Sequence, residues 1–266
     1  MRALLIRELD RLEALYDTGR PVSRLPTGLM GWDLTAGGLR RGGVHLLIGP
    51  SRSGLSSLAL TIGANSVLLR AQPVLFVSGL PDGEIAQRAW SARSLVPIDK
   101  IERGRLSEAD WQELAHSTGQ LAESLLRVAE PPRDGCNLTS LLKSEISAMP
   151  TAIVVIDDLE VSQADDLRVI AQDHDVAILV VASETSKQVL ALAEQADTLA
   201  VVRPDGPAGL STRLATICIE RNRYGPLGAF RLAFLEECLV WVDVFDADRV
   251  DRFGPVADQL LLAPSR

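Results

Sequence analysis

Apolar residues in this chain fall into short unbroken runs separated by stretches of helical period. Val44–Ile48, Pro73–Ser78, Ala152–Ile156 and Val176–Ala182 are runs of the kind that form strands buried on both faces. Between and around them, residues 56–69, 82–95, 107–125, 138–149, 161–173 and 185–195 carry helical spacing, and 125–128 suits a short strand. Strands alternating with helices predict an α/β fold with a parallel sheet and crossover helices. The pattern changes near residue 198. Leu199–Val202, Leu214–Glu220, Phe230–Leu235 and Leu239–Val244 are strand-like, with turns and no helices between them. They predict antiparallel strands added to one edge of the sheet.

Ahead of this alternation, residues 2–17 place Leu5, Leu9, Leu12 and Tyr16 on one helical stripe, and Thr18, Gly19 and Pro21 end it. A short amphipathic helix cannot cover its own stripe, so it is expected to dock on its own domain or on a neighbour's. A turn-rich stretch with Gly28, Gly37, Gly38, Gly42 and Gly43 leads into the first buried run. The expected organisation is a helix over 1–20, one domain over 21–250 and a tail over 251–266.

Composition narrows the function classes. The chain has 266 residues, 47% apolar and 23% charged, which suits one large globular domain. Its net charge of −8 argues against a broad face for nonspecific nucleic-acid binding but leaves room for a local basic patch. Cys136, Cys218 and Cys238 have neither metal-ligand spacing nor a disulfide framework, which suits a reducing, cytoplasmic setting. His45, His116 and His174 stand apart from one another. No apolar run of 18 residues predicts a membrane span.

Two segments carry candidate chemistry. Gly49-Pro50-Ser51-Arg52-Ser53-Gly54-Leu55-Ser56 follows the first buried run and opens a helix, with the spacing of a phosphate-binding loop. In such a loop, backbone N–H groups and the helix N-terminus hold phosphates, a Lys neutralises them and a hydroxyl holds Mg²⁺. Here Leu55 stands at the Lys position, while Ser56 keeps the hydroxyl and Ser57 continues the helix. The second segment, Ile153-Val154-Val155-Ile156-Asp157-Asp158, is a strand ending in an acid, the arrangement that places Asp157 beside a bound Mg²⁺. The nine residues Gly49–Ser57 are therefore candidate nucleotide contacts, and Ser56 and Asp157 candidate metal contacts.

Three further segments carry a family resemblance. Residues 26–39, from Pro26-Thr27-Gly28 through Trp32-Asp33 to Gly37-Gly38-Leu39, Val74–Ser78, and the late run Arg221-Asn222-Arg223-Tyr224-Gly225-Pro226-Leu227-Gly228 together resemble the motor domain of DnaB-type replicative helicases. The resemblance runs from about residue 5 to 245 and implies that the family's amino-terminal domain is missing. It implies a RecA-like P-loop NTPase core, a mostly parallel sheet flanked by helices with antiparallel strands at the C-terminal edge. It also implies ATP and Mg²⁺ as ligands, a linker role for helix 2–17, and a ring of like subunits. Arg221 and Arg223 match a basic pair that, in the family, reaches the γ-phosphate bound by the neighbouring subunit.

The same resemblance exposes departures. Leu80 stands where the family has its catalytic Glu, with Glu84 one turn further on, and Glu184 where it has a Gln facing the γ-phosphate. The segments matching the family's two DNA-binding loops are short, and Lys187 is the one basic residue left in the second. These features lead to a first expectation of weak or residual ATP binding, little or no hydrolysis, and action through a homo-oligomer or a mixed ring with a DnaB-like helicase. DNA is a further candidate partner. An active ATP-dependent helicase motor and a nucleotide-free scaffold are the alternatives.

Overall fold

In a computed structural model of the chain, residues 24–131, 137–157, 159, 164–206 and 212–244 are described, with scattered positions among the first 13. A small antiparallel pair, β1 (Arg24–Leu25) and β2 (Leu39–Arg40), brackets a short helix, α1 (Met30–Ala36). The main sheet then begins with β3 (Val44–Gly49), followed by α2 (Leu55–Arg70), β4 (Val74–Ser78), α3 (Asp82–Ser94), α4 (Ile98–Glu102), α5 (Glu108–Ala122) and β5 (Leu126–Ala129). After these come α6 (Leu138–Ala148), β6 (Ile153–Asp157), α7 (Ala164–Asp173), β7 (Ala177–Ser183) and α8 (Val189–Gln195). Four strands close the described chain: β8 (Thr198–Asp205), β9 (Thr212–Asn222), β10 (Gly228–Leu235) and β11 (Val240–Asp243).

Among the described residues, nine strands form one sheet in the order β11-β10-β9-β8-β3-β7-β6-β4-β5. Strands β3 to β8 run parallel, and β8 to β11 pair antiparallel. The predicted α/β fold with an antiparallel edge is the observed one. Alternate residues of the parallel strands feed two apolar cores. Leu47, Phe76, Val155 and Leu179 join Leu58 and Ile62 of α2 on one face. Leu46, Leu75, Val154 and Ile178 join Leu142 of α6, Ile170 of α7 and Leu192 of α8 on the other. Coverage on both faces explains why these strands read as unbroken apolar runs.

Two helices escaped the sequence pattern. α1 lies in the glycine-rich approach, and its stability comes from elsewhere in the chain. The Asp243 carboxylate accepts the N–H groups of Met30 and Gly31, both at 2.7 Å, capping α1 from the last strand. Trp32 is fully buried and meets Phe230 edge to face, with centroids 6.2 Å apart. Gly31 permits that approach, because a Cβ there would lie 2.5 Å from the Phe230 ring. α4 is a single turn between α3 and α5, too short to show a period.

The expected helix over 2–17 lies largely outside the described residues. Those described there, at 2, 5–7, 9, 10 and 13, are helical, and Leu5 and Leu9 are exposed. The expected tail over 251–266 lies outside the described residues altogether. Among the described residues, no helix is long and apolar enough to cross a membrane.

Candidate functional site

The phosphate loop sits where β3 ends and α2 begins, at the C-terminal ends of the parallel strands. Its shape follows from two unusual backbone positions, Arg52 at φ +63° and Gly54 at φ +87°. Glycine is required at 54 on both counts: the left-handed φ, and a Cβ that would press on Phe234 and Trp241 at 3.1–3.2 Å. The loop is braced from the antiparallel edge. The Trp241 indole N–H donates to the Gly54 carbonyl at 3.0 Å, and Trp241 stacks on Phe234 with centroids 4.9 Å apart. The Arg213 guanidinium donates to the Arg52 carbonyl at 3.4 Å.

The first turn of α2 has Gly54 at its cap position and, among the described residues, no side-chain cap hydrogen bond. The N–H groups that open a helix need an acceptor, and a phosphate oxygen is the ligand such an end suits. Ser53 Oγ is buried and has no hydrogen-bond partner among the described residues. A cleft of about 250 Å³ opens over this turn, lined by Ser51, Arg52, Gly54, Leu55, Ser56 and Ser57. Asp157, Ser183 and Arg88 form its other walls.

Asp157 ends β6 and is almost fully buried. It is held by Ser78 of β4, whose Oγ donates to Oδ2 at 2.9 Å. Lining the same cleft as Ser56, it fits the donor set a hard cation such as Mg²⁺ takes, oxygen atoms beside a candidate phosphate site. Ser183, at the end of β7, is joined to Ser51 through their hydroxyls at 2.9 Å. Glu184 is exposed rather than part of the cleft wall; its backbone N–H donates to the Gly49 carbonyl at 2.9 Å. The β7 residues that line the cleft are Val181, Ala182 and Ser183.

Leu55 and Leu80, the two apolar replacements, pack against the same core that carries Trp32, Phe76 and Trp241. Neither supplies a donor or a base. Arg88 was missed in the sequence because a lone Arg four residues after Glu84 reads as an ordinary surface pair. Its place in the cleft depends on how α3 packs beside α2.

Arg221 and Arg223 lie far from this cleft. On β9, Arg221 pairs with Leu199 and Asn222 with Thr198; Thr198 in turn pairs with His45 at the start of β3. The arginines therefore stand at the N-terminal ends of the parallel strands. From His45 to Gly49 is four strand residues, roughly 13 Å at the usual rise. Arg221 donates to the carbonyls of Ala193 and Glu194 at the end of α8, the second at 3.1 Å. Arg223 is 60% exposed, with Asp197 3.8 Å away. With Arg168, they border a cleft of about 460 Å³.

The connections that follow β6 and β7 are short. β6 ends at Asp157 and α7 begins at Ala164, while residues 184–188 alone separate β7 from α8.

A phosphate loop at the end of the first core strand, an acid at the end of another, and an antiparallel extension define a RecA-like P-loop NTPase domain. Residues 24–193 match the DnaB-like helicase C terminal domain family, and the chain belongs to that family. It is 21% identical over 279 aligned residues to the replicative DNA helicase DnaC of Bacillus subtilis, covering 89% of this chain and 60% of that protein. The replicative DNA helicase DnaB of Geobacillus stearothermophilus is 19% identical over 281 aligned residues, with the same coverage. The chain spans 60% or less of the length of the curated relatives it matches. Among solved structures, a DnaB-like replicative helicase described with its primase interactions shares the fold. It aligns at a TM-score of 0.73 and 18% identity, over 92% of this chain and 67% of that one. A separately solved ATPase domain aligns at a TM-score of 0.75 and 20% identity, over 91% of this chain and 98% of that one.

Proposed function

We propose that the chain is a DnaB-like nucleotide-binding subunit that holds ATP with Mg²⁺ weakly, hydrolyses it little or not at all, and acts through a neighbouring subunit in DNA replication or repair. The observation that carries this reading is the cleft in which the uncapped start of α2, the Ser56 hydroxyl and buried Asp157 come together. Backbone donors and a helix N-terminus bind phosphate without the missing Lys. Hydrolysis is another matter. A charge clamp on the developing negative charge and a base on water are each worth about two powers of ten or more, and Leu55 and Leu80 provide neither.

When bound, Mg²⁺ would neutralise phosphate charge and orient the terminal phosphate. Asp157 and Ser56 are the residues that would hold it, and the Ser78 hydroxyl orients Asp157 through its hydrogen bond. An active motor is the less favoured reading, because the segments that would grip DNA are so short.

Opposite placement across the sheet supports a role in trans for the arginine pair. Arg223 stands away from its own phosphate loop and is the more available of the two, since Arg221 is engaged on the carbonyl end of α8. A neighbour in a homo-oligomer, or a DnaB-like helicase in a mixed ring, is the proposed recipient. An arginine supplied in trans raises phosphoryl-transfer rates by about three or more powers of ten.

Calorimetric titration with MgATP tests the binding reading: saturation is expected, and Asp157→Ala should weaken it. No saturation at millimolar nucleotide, with or without Leu55→Lys, would leave a nucleotide-free scaffold. Mixing with the DnaB-type helicase of the same organism tests the trans reading. Wild type should change the helicase's ATPase rate and Arg223→Ala should not; equal effects would remove the arginine from the account.

A further inference from the structure

Among the described residues, two cations border the phosphate cleft, Arg52 and Arg88. Arg52 is exposed, and its backbone is tied to Arg213. Arg88 is placed differently. It rises from α3, its side chain is only 24% exposed, and Nη1 approaches the Ser57 hydroxyl at 3.4 Å in the first turn of α2. Its Nε and Nη2 both donate to one oxygen of Glu84, at 2.9 and 2.6 Å.

An ion pair one helical turn apart on a solvated face contributes little to stability and has no reason to reach a neighbouring helix. This pair does reach one. Its guanidinium shares a cleft with Ser56, Ser57 and Asp157. The two charges missing from the family pattern, a cation at 55 and an acid at 80, are both replaced by leucines packed on one apolar cluster. The Arg88–Glu84 pair brings one charge of each sign to the same neighbourhood, from the next helix.

We infer that Arg88 is the phosphate-binding cation of this chain, supplying from α3 the charge that Leu55 lacks, and that Glu84 holds it in place until a phosphate competes for it. The inference rests on the nucleotide-binding reading above. The ligand class is the terminal phosphates of a nucleoside di- or triphosphate. A guanidinium suits them because its planar fork can bond two phosphate oxygens at once. Glu84 accepts through a single oxygen, so Nη1 faces the cleft and Nη2 is exchangeable. No covalent step is involved.

The test is calorimetric titration of the full chain with MgATP and MgADP, in wild type, Arg88→Ala, Arg88→Lys, Glu84→Gln and Lys143→Ala. Lys143 is exposed on α6 and controls for the loss of one positive charge. Arg88→Ala is expected to weaken both nucleotides about tenfold or more, Arg88→Lys by less, and Lys143→Ala hardly at all. Glu84→Gln should tighten them by a few-fold, because it removes the competitor while keeping the helix; this variant carries the test if Arg88→Ala fails to fold by circular dichroism. Saturable wild-type binding that is unchanged in Arg88→Ala or Glu84→Gln would overturn the assignment and leave the nucleotide reading intact. No saturable binding by wild type would overturn both.

Discussion

The two ends of the parallel strands carry opposite combinations of shape and charge. At the C-terminal ends, the phosphate loop keeps its shape while the charged groups expected at 55 and 80 are gone. At the N-terminal ends stand two arginines, Arg221 and Arg223, and Arg221 is engaged on its own α8. The difference teaches that loop geometry and loop chemistry have separate causes here. Trp241, Phe234 and Arg213 brace the loop from the antiparallel edge, through the Gly54 and Arg52 carbonyls and an aromatic stack. None of those contacts involves the side chain at position 55, so the bracing of the loop does not depend on which side chain stands there.

If that separation is right, bracing residues control stability and cleft-facing residues control binding. The largest expected effect is Trp241→Ala. It removes a buried indole, its stack on Phe234 and its hydrogen bond to Gly54, and should lower unfolding free energy by about 3–5 kcal/mol. Urea denaturation measures it.

His45 gives the next effect, at the other end of β3. It is fully buried, Arg40 N–H donates to Nε2 at 2.9 Å, and burial, aided by the nearby Arg24 and Arg40 charges, lowers its pKa to about 4. The unfolded chain, with an ordinary imidazole near 6.5, binds a proton that the folded chain refuses. Stability from this group is thus complete above pH 6.5 and lost as pH falls toward 4, by up to about 3 kcal/mol. Chemical denaturation across that window should show a shallower pH slope in His45→Gln than in wild type; equal slopes would mean that His45 titrates normally in the folded chain.

Leu55→Lys is expected to tighten MgATP by about tenfold, at a small cost in stability from the lost apolar contact. It converts one end of the sheet back toward the family pattern, so it sharpens the contrast directly. The smallest expected effect is Arg223→Ala, within about 0.5 kcal/mol of wild-type stability, because the side chain is exposed and Asp197 is 3.8 Å away. A larger loss would make Arg223 a structural residue and weaken its assignment to a neighbour.

Much of this arrangement was legible in the sequence, for identifiable reasons. The core strands were readable because burial on both faces leaves no polar position in Val74–Val77 or Ile153–Ile156. The loop and Asp157 were readable because each is local to one strand end. α1 was not, since its cap is Asp243, more than two hundred residues away in sequence. Arg88 was not, because an Arg four residues after a Glu has the same pattern on a bare surface and over a cleft. Nor was the opposite placement of the arginine pair, which emerges only from the register joining β9, β8 and β3.

The claim on which the rest depends is that this loop binds nucleotide without turning it over. The most direct measurement follows MgATP binding and phosphate release together, on the isolated chain at saturating nucleotide, with and without single-stranded DNA. Saturable binding weakened by Asp157→Ala, with phosphate release at background under both conditions, is the expected result. Release at about one per second, stimulated by DNA and abolished by Asp157→Ala, would contradict it and make the chain a working motor.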